Sequence, residues 1–453
     1  MSQSLTKSLG NFVSGLRFEA IPAAALSVVH TGFVDCIGTL IAGSVEEPPR
    51  ILHKALAPAP GDASLYLCGP RVSAPEAAWI NGTAAHALDY DDVSLRGHPS
   101  TVLVPAILAE AEVLRASGAQ MLAAYVAGYE VWAELAGRDP DQHHQKGWHP
   151  TGIFGAIAAA AACASLRGLD PERAAQALAL GASHSAGLVA NFGTMTKPYH
   201  AGKAAHAGVV SARLAEAGFT SSLDALEHPL GFLAAVSPNG RADRERAATA
   251  GHDWQILSQG LSVKKYPLCY CTHRAIDGML DLLRQQPVRG EEVKSIRVST
   301  SRRNATILRN ARPQTGLEAK FSMQFAMASS IVAGRVGLSE LTDSFVRRQD
   351  VQALLDKVTI EPDDRPDPTR SGAAPYDLVV VETKTGQQLQ SARITDERGS
   401  PQLPLSADEL WTKFENCLAI GNARLAARPI FEALMSLERQ HDVRAFSELR
   451  QAA

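Results

Sequence analysis

Apolar residues recur at helical spacing through the first half of the chain. Between residues 23 and 42 they follow one another at steps of three and four, which places them on one helix face: Leu26, Val29, Phe33, Ile37 and Leu40. Pro22 suits a helix start and Gly43 a helix end. The same reasoning predicts further helices over residues 75–86, 102–116, 119–136, 152–166, 171–186 and 201–217. Many inner positions are Ala or Gly, which favours close packing of these helices.

The pattern changes after about residue 264. Residues 293–300 alternate, while residues 358–360 and 378–381 are runs rich in β-branched side chains, as strands are. Thr385-Gly386 predicts a hairpin turn into residues 387–394, helices are predicted over 318–334 and 344–356, and 362–375 reads as an exposed loop. Ser406 and Glu409 have capping-box spacing, and helices return over residues 410–449. The chain is therefore predicted to be mainly α with a second α+β domain.

Composition and charge narrow the range of functions that the chain could have. The 453 residues, 45% apolar, carry 44 basic and 47 acidic side chains, a net charge of −3. A disordered chain is excluded, and no basic run favours a nucleic-acid partner. The uncharged stretch between Pro150 and Arg167 has 16 residues, short of the ~20 of a membrane helix. The N-terminus lacks the pattern of a secretory signal. We expect a cytoplasmic protein without a membrane partner.

Cofactor and metal motifs are missing from the sequence. It contains no GxGxxG, GxxxxGK[ST], GxSxG or HExxH. Cys269 and Cys271 have no second pair to complete a zinc or iron–sulfur set. His143, His144 and His149 lie near Asp139 and Asp141, but their spacing matches no standard zinc set. We expect neither a cofactor nor a metal.

A first polar cluster follows the predicted helix 75–86. Asp89, Asp91 and Asp92 stand within four residues, and His98 follows. Buried carboxylates need partners, because an unpaired buried charge is costly. The cluster is either a site loop in which a carboxylate orients His98 for proton transfer, or a solvated acidic turn.

Three further clusters carry basic or thiol groups. His149 and Thr151 precede an alanine-rich helix, where Thr151 as N-cap would leave a helix end that favours a carboxylate, although a turn histidine is the alternative. Lys197 opens another helix and is either a ligand of an anion or a surface lysine. The stretch from Lys264 through Cys269 lies at the expected domain junction, and its cysteines are either functional or small apolar fillers.

The sequence motifs of these clusters and their order along the chain resemble those of the MmgE/PrpD family, which includes 2-methylcitrate dehydratases, cis-aconitate decarboxylases and iminodisuccinate epimerase. The resembling stretches are NGTAAHALDYDD with HPS, GWHPTGIFGA, TKPYHAGKAAHAG, GFTSSLDALEHPLGF, KKYPLCYCTHRAIDG and AKFSMQFAMA. The resemblance implies a large all-helical domain over residues 1–263 and 405–453, a smaller α+β lid domain over 264–404, and a homodimer.

The resemblance also implies site residues. The family's active-site positions fall on Asp89, His98, His149, Lys197 and Lys264. We add Cys269 as a candidate acid–base group, and Thr151, Asp92 and Tyr266 as candidate substrate-binding residues beside Lys264. The chain departs from relatives at three positions, with Cys269 where decarboxylases have histidine, Val93 where several members have threonine and Phe325 where tyrosine is common.

Residue types and resemblance together predict a metal-independent lyase that acts on a small di- or tricarboxylic acid. Lys197 and Lys264 can dock a carboxylate and stabilise the charge that develops when a proton leaves the neighbouring carbon. His98 or His149 can move that proton. A hydro-lyase of the 2-methylcitrate dehydratase type is favoured. The alternatives are an epimerase of an imino- or amino-dicarboxylate, a cis-aconitate decarboxylase-like enzyme and a non-catalytic carboxylate binder.

Overall fold

A computed structural model describes residues 4–368, 370, 373–422 and 424–448. The chain divides into two compact units, Met1–Val263 with Ser406–Ala453 and Lys264–Leu405. Five residues of the predicted loop 362–375 and the predicted C-terminal helices lie outside the described part, namely Thr369, Ser371, Gly372, Ala423 and Leu449.

The N-terminal part of the first unit is almost entirely helical. Its helices are α1 (Leu5–Gly15), α2 (Ala23–Gly43), α3 (Glu47–Leu56), α4 (Ala74–Ala87), α5 (Ser100–Leu114), α6 (Gly118–Ala136), α7 (Pro150–Leu166), α8 (Pro171–Ser183), α9 (Thr196–Glu216), α10 (Phe232–Val236) and α11 (Gln255–Gln259). A small antiparallel pair, β1 (Pro60–Ser64) and β2 (Arg71–Val72), precedes α4.

Small residues let the central helices of this unit approach closely. A Cβ atom added at Gly202 of α9 would lie 2.1 Å from the carbonyl oxygen of Trp79 on α4. On the other side of α9, a Cβ at Gly208 would lie 2.2 Å from the Cβ of Ala159 on α7. The Ala- and Gly-rich pattern thus has its predicted consequence, and α9 lies directly against both α4 and α7.

One described helix, α2, is long and apolar enough to cross a membrane if only length and composition are considered. Most of its apolar window, 72%, is buried inside the protein. A core helix has the same properties, so this finding is weak evidence for a membrane span.

The second unit combines short helices with a four-stranded sheet. Its elements are α12 (His273–Gln285), β3 (Val293–Ser301), α13 (Arg302–Ile307), α14 (Gly316–Ala319), α15 (Met323–Ala333), α16 (Asp343–Val346), α17 (Gln349–Leu355), β4 (Val358–Asp363), β5 (Leu378–Thr383) and β6 (Gln388–Gln390). The strand order is β4-β3-β5-β6, with β3 and β4 parallel and the other neighbours antiparallel. The predicted hairpin turn is present, with Gly386 at a φ of +86°.

Two helices predicted in this unit are interrupted. The prediction over 318–334 is wrong in the middle, because the Ser322 hydroxyl accepts a 3.1 Å hydrogen bond from the Phe325 amide and starts α15 as a new helix. The prediction over 344–356 is also divided, because Arg348 has extended backbone between α16 and α17. Local capping therefore overrides the apolar periodicity in both places.

The C-terminal segment returns to the first unit as α18 (Ala407–Asn422) and α19 (Ala427–Met435). The predicted capping box is present, since Ser406 and Glu409 exchange side-chain to backbone hydrogen bonds of 3.0 and 3.2 Å. Lys413 of α18 is buried and donates to the carbonyl oxygen of Tyr90 at 2.8 Å, while its Nζ lies 2.5 Å from Oδ1 of Asp35 on α2. This lysine ties the C-terminal segment to the aspartate-rich loop after α4.

Candidate active site

Asp91 lies at the centre of a buried histidine cluster. Its Oδ1 is 2.8 Å from Nδ1 of His86, the last turn of α4, and its Oδ2 is 2.6 Å from Nδ1 of His98. The two imidazole rings lie 4.3 Å apart between centroids. Because a carboxylate only accepts, both histidines donate Nδ1–H to Asp91. Their Nε2 atoms are then the positions left for other chemistry.

The charges of this group depend on one another. Burial alone would raise the pKa of Asp91, but attraction to His86 and His98 and their hydrogen bonds hold that pKa well below its ordinary value. Burial, only partly opposed by Asp91, lowers the pKa of His86 to about 4. Asp91 is thus a carboxylate at neutral pH that orients two imidazoles and stabilises positive charge on either.

Asp89 and Lys197 form the more accessible side of the cluster. Nζ of Lys197, in the first turn of α9, lies 2.9 Å from Oδ1 of Asp89, and the side chains are 15% and 28% exposed. The same Asp89 oxygen is 4.0 Å from Nε2 of His98, too far for a hydrogen bond. Asp89 has a left-handed φ of +51°, which turns the chain between Asp89 and Asp91.

His149 joins the cluster from the start of α7. Its ring is stacked against that of His86 at 6.2 Å, and its Nδ1 lies 3.1 Å from Nδ1 of His200 on α9. Burial, reinforced by the neighbouring His86 and Lys197, lowers the pKa of His149 far below its ordinary value. Burial also lowers the pKa of His200. Both rings are therefore neutral at pH 7.

The prediction that Thr151 caps α7 is wrong. The helix begins at Pro150 with His149 as N-cap, because the proline fixes a helical φ at the first position. The Thr151 hydroxyl is fully buried and accepts a 3.2 Å hydrogen bond from the backbone amide of His98. Thr151 thus holds the backbone of a histidine.

Asp92 points away from the histidines. It is fully buried, and its Oδ2 accepts a hydrogen bond from the Ser100 hydroxyl at the start of α5. Burial, together with the neighbouring Asp35, raises the pKa of Asp92 well above its ordinary value. Adjacent aspartates of one loop therefore have pKa values shifted in opposite directions.

The remaining candidates belong to the second unit. Lys264 is its first residue and is buried. The Tyr266 hydroxyl donates to Asp277 at 2.7 Å, and burial raises the pKa of this phenol well above its ordinary value. Cys269 is half-buried, and its backbone amide donates to Lys320 at 2.8 Å. The functional roles of these three residues stay predictions.

Four side chains of the cluster could hold a metal ion. His86, Asp89, Asp91 and His98 each offer a ligand atom, and these atoms lie within 4.8 Å of one another. However, both Nδ1 atoms already donate to Asp91, and the Lys197 ammonium already pairs with Asp89. A metal ion would need the same atoms that proton transfer uses. Adding a chelator therefore distinguishes a metal site from a proton-transfer site.

Sequence reasoning missed three members of this cluster as site residues. His86 and Asp91 stand in the same motif as Asp89, but nothing in the motif says which carboxylate faces the histidines. His200 had a usable signal, because it follows Lys197 by three residues on a helix and so shares its face.

Two family profiles match the chain. That of the MmgE/PrpD N-terminal domain matches residues 7–245, and that of the MmgE/PrpD C-terminal domain matches residues 266–444. The chain is 26% identical over 434 residues to the human protein named cis-aconitate decarboxylase. The aligned region covers 91% of this chain and 88% of the human protein. It is 25% identical over 385 residues to the cis-aconitate decarboxylase of Aspergillus terreus, covering 78% of each chain.

Proposed function

This chain belongs to the MmgE/PrpD family, and we propose that it is a metal-independent lyase that removes water from a small hydroxy di- or tricarboxylate. The Asp91–His98 pair carries this proposal. His98 donates Nδ1–H to a carboxylate held ionised, which leaves its Nε2 for a substrate proton on the more open side of the cluster. An imidazole oriented in this way can act as a general base.

Lys197 supplies the matching acid. Its ammonium lies on the accessible side of the cluster, beside Asp89 and near His98. In the proposed step His98 Nε2 takes the proton from the carbon next to a carboxylate, and the electron pair of that C–H bond forms the C=C bond. The C–O bond breaks, and the hydroxyl leaves as water with a proton from Lys197. Asp91 stabilises the imidazolium, and solvent returns the proton from His98 to Lys197.

The substrate class follows from charge. The Lys197 ammonium attracts an anionic substrate to the cluster, and the N-terminus of α7 favours a substrate carboxylate nearby. Stabilising the charge that develops on that carboxylate lowers the barrier to proton removal. Asp92 is enclosed with Ser100, so we assign it to bracing the loop. Lys264 keeps, as a prediction, the substrate-binding role that the resemblance suggests, and Tyr266 and Cys269 keep the substrate-binding and acid–base roles predicted from the sequence.

Decarboxylation is the second candidate, and the names of the curated relatives favour it. Loss of CO2 leaves a carbanion that must be protonated, so His98 would have to act as an imidazolium acid. Its orientation by Asp91 suits that role after protonation. The two reactions therefore use the same pair in opposite protonation states.

Proton NMR in deuterated water tests the proposal with the full-length chain. Citrate, 2-methylcitrate, cis-aconitate and aspartate-derived acids are supplied in turn, and evolved CO2 is measured in parallel. An alkene product without CO2, seen as a vinyl signal from citrate or as an allylic methyl signal from 2-methylcitrate and absent in His98→Gln, supports the dehydratase. CO2 release from cis-aconitate alone supports decarboxylation. Deuterium exchange without net conversion indicates an epimerase, and binding without turnover would leave only a carboxylate-binding protein.

We also propose that the chain forms a homodimer, as the resemblance implies, and that it binds neither nucleic acid nor a membrane, as its charge balance and apolar pattern suggest. Sedimentation equilibrium of the purified chain should give twice the mass of the 48.2 kDa monomer. A single species at the monomer mass, at micromolar concentration, would contradict the dimer.

A further inference from the structure

The contact between His149 and His200 joins two nitrogens of the same kind. The Nδ1 atoms lie 3.1 Å apart, and the rings are 5.3 Å apart between centroids. Two N–H groups would repel at this distance, as would two lone pairs, so one proton lies between the rings. One histidine donates and the other accepts.

The surrounding backbone holds the two rings at this distance. The His149 amide donates to the carbonyl oxygen of Gly187 at 3.0 Å, so the segment around Gly187 lies beside the start of α7. Gly187 has a φ of +134°, and an added Cβ would lie 3.3 Å from His200 and 3.4 Å from His149. The positive φ favours glycine at this position, and an added side chain would crowd both histidines.

The groups that face His149 keep it neutral. They are His86 from α4, Lys197 and His200 from α9, and His98 from the loop before α5, and all four lower its pKa in addition to burial. A neutral imidazole is a poor proton donor, because giving up its N–H proton would leave an imidazolate. His149 can nevertheless donate a hydrogen bond that strengthens as charge develops on a substrate oxygen, as a neutral histidine does in triosephosphate isomerase.

We propose that His200 is a positioning residue whose Nδ1–H donates to His149 and fixes His149 in the tautomer that carries hydrogen on Nε2. In this tautomer His149 presents a donor to a substrate carboxylate, whereas the opposite tautomer would present a lone pair and repel it. This inference rests on the proposed carboxylate substrate. It changes the role of His149 from the predicted proton carrier to a hydrogen-bond donor, and leaves His98 as the base.

Two replacements of His200 separate the tautomer effect from packing. His200→Gln retains an N–H that can donate to Nδ1 of His149, while His200→Leu fills similar space without a donor. We expect His200→Gln to keep kcat/KM within about fivefold of the parent, and His200→Leu to lose on the order of 10- to 100-fold in kcat/KM, with KM raised because the opposite tautomer repels the substrate carboxylate. Equal activities of the two variants, at equal melting temperatures, would overturn the proposal.

Nitrogen-15 NMR of histidine-labelled protein gives a readout that needs no substrate. The His149 signals are assigned from their loss in His149→Gln. We expect the parent and His200→Gln to have hydrogen on Nε2 of His149, and His200→Leu to show a mixture of tautomers. Hydrogen on Nδ1 of His149 in the parent would contradict the role of His200 whatever reaction the enzyme performs. If the tautomer is as proposed but no substrate is turned over, the proposed function alone fails.

Discussion

Two buried polar clusters of the helical unit differ in how completely their polar groups are paired. Both carboxylate oxygens of Glu110 on α5 are paired, one with Arg167 and the other with Arg213 at 2.6 Å. Arg167 also binds Glu216 at 3.0 Å through Nε. Both carboxylate oxygens of Asp91 also accept hydrogen bonds, but these bonds do not use the Nε2 atoms of the two donor histidines. His86 Nε2 is buried without a hydrogen-bond partner among the described residues.

The difference indicates which cluster is built for chemistry. A closed ion-pair network leaves no donor or acceptor for a ligand, and removing one partner strands a buried charge. A cluster with imidazole nitrogens left over tolerates unsatisfied groups that a purely structural cluster would pair. We therefore expect the Glu110 cluster to matter for stability and the Asp91 cluster for activity.

Replacing the base should have the largest effect. His98→Gln removes the proton acceptor, and turnover should fall on the order of 10³-fold, within the range of a lost general base. Its melting temperature should stay close to that of the parent. Initial rates by proton NMR and thermal unfolding measure both quantities, with His53→Gln on α3 as control. A fall of less than tenfold would remove His98 from the chemistry.

Changing the orienting carboxylate should come next. Asp91→Asn keeps the shape but loses the charge that stabilises the imidazolium, so we expect a fall in kcat on the order of 10²- to 10³-fold. Asp92→Asn is the matched comparison, because burial raises the pKa of Asp92 and an amide resembles a neutral carboxyl. Its effect should be at least tenfold smaller. The reverse order of the two losses would mean that the wrong aspartate has been identified.

Breaking the closed cluster should act on stability instead. Glu110→Gln leaves Arg167 and Arg213 without their buried counter-charge, which should lower the free energy of unfolding by about 3 kcal/mol. The half-exposed Glu216 offers the control, and Glu216→Gln should cost less than about 1 kcal/mol. Urea titrations give both values. If Glu110→Gln lowered kcat tenfold without loss of stability, the contrast between the clusters would be lost.

Acid should destabilise the protein through its buried neutral histidines. Burial lowers the pKa values of His86 and His206 to about 4, against about 6.5 in an unfolded chain. Between these values the unfolded chain binds protons that the folded chain does not. The free energy of unfolding should therefore fall as pH drops from 6.5 to 4, by up to about 1.4 kcal/mol per pH unit for each histidine.

Urea midpoints at pH 7.5, 6.0 and 5.0 measure this slope. His206→Gln removes one contributing group and should make the slope shallower, whereas His228→Gln, at an exposed position, should leave it unchanged. A midpoint independent of pH over this range would contradict the neutral, buried state of the cluster.

Chelation should have the smallest effect. Dialysis against EDTA should leave turnover within about 20% of its starting value, because the Lys197 ammonium occupies Asp89 and the Nδ1 atoms already bind Asp91. Activity that is lost on dialysis and returns with one divalent ion would make His86, Asp89, Asp91 and His98 a metal site.

The sequence predicted most of the helical unit because its signals are local. Apolar spacing located α2, the predicted start of α7 at residue 152 lies two residues after the observed one, and Ser406 marked the start of α18. The family and the lyase-type enzyme class, which the motifs suggested, are confirmed by the profiles and relatives. The breaks at Ser322 and Arg348 were missed because a single hydrogen bond or dihedral angle decides them.

The site was harder to predict because non-local geometry forms it. The left-handed backbone at Asp89 decides that Asp91, rather than its neighbours, faces His98. His200 contacts His149 beside Gly187, a residue distant in sequence from His149 whose backbone lies against both side chains. Residue types and spacing therefore gave candidate groups, while their pairing required the fold.

The coupling between Asp91 and His98 is the central claim, and a double-mutant cycle measures it directly. Turnover is compared in the parent, Asp91→Asn, His98→Gln and the double variant, all at the same pH and with the folded fraction of each verified. Because Asp91 acts through His98, we predict that the double variant is no slower than His98→Gln alone within a factor of about three. If the two losses instead multiply in the double variant, Asp91 and His98 act independently and the proposed base is wrong.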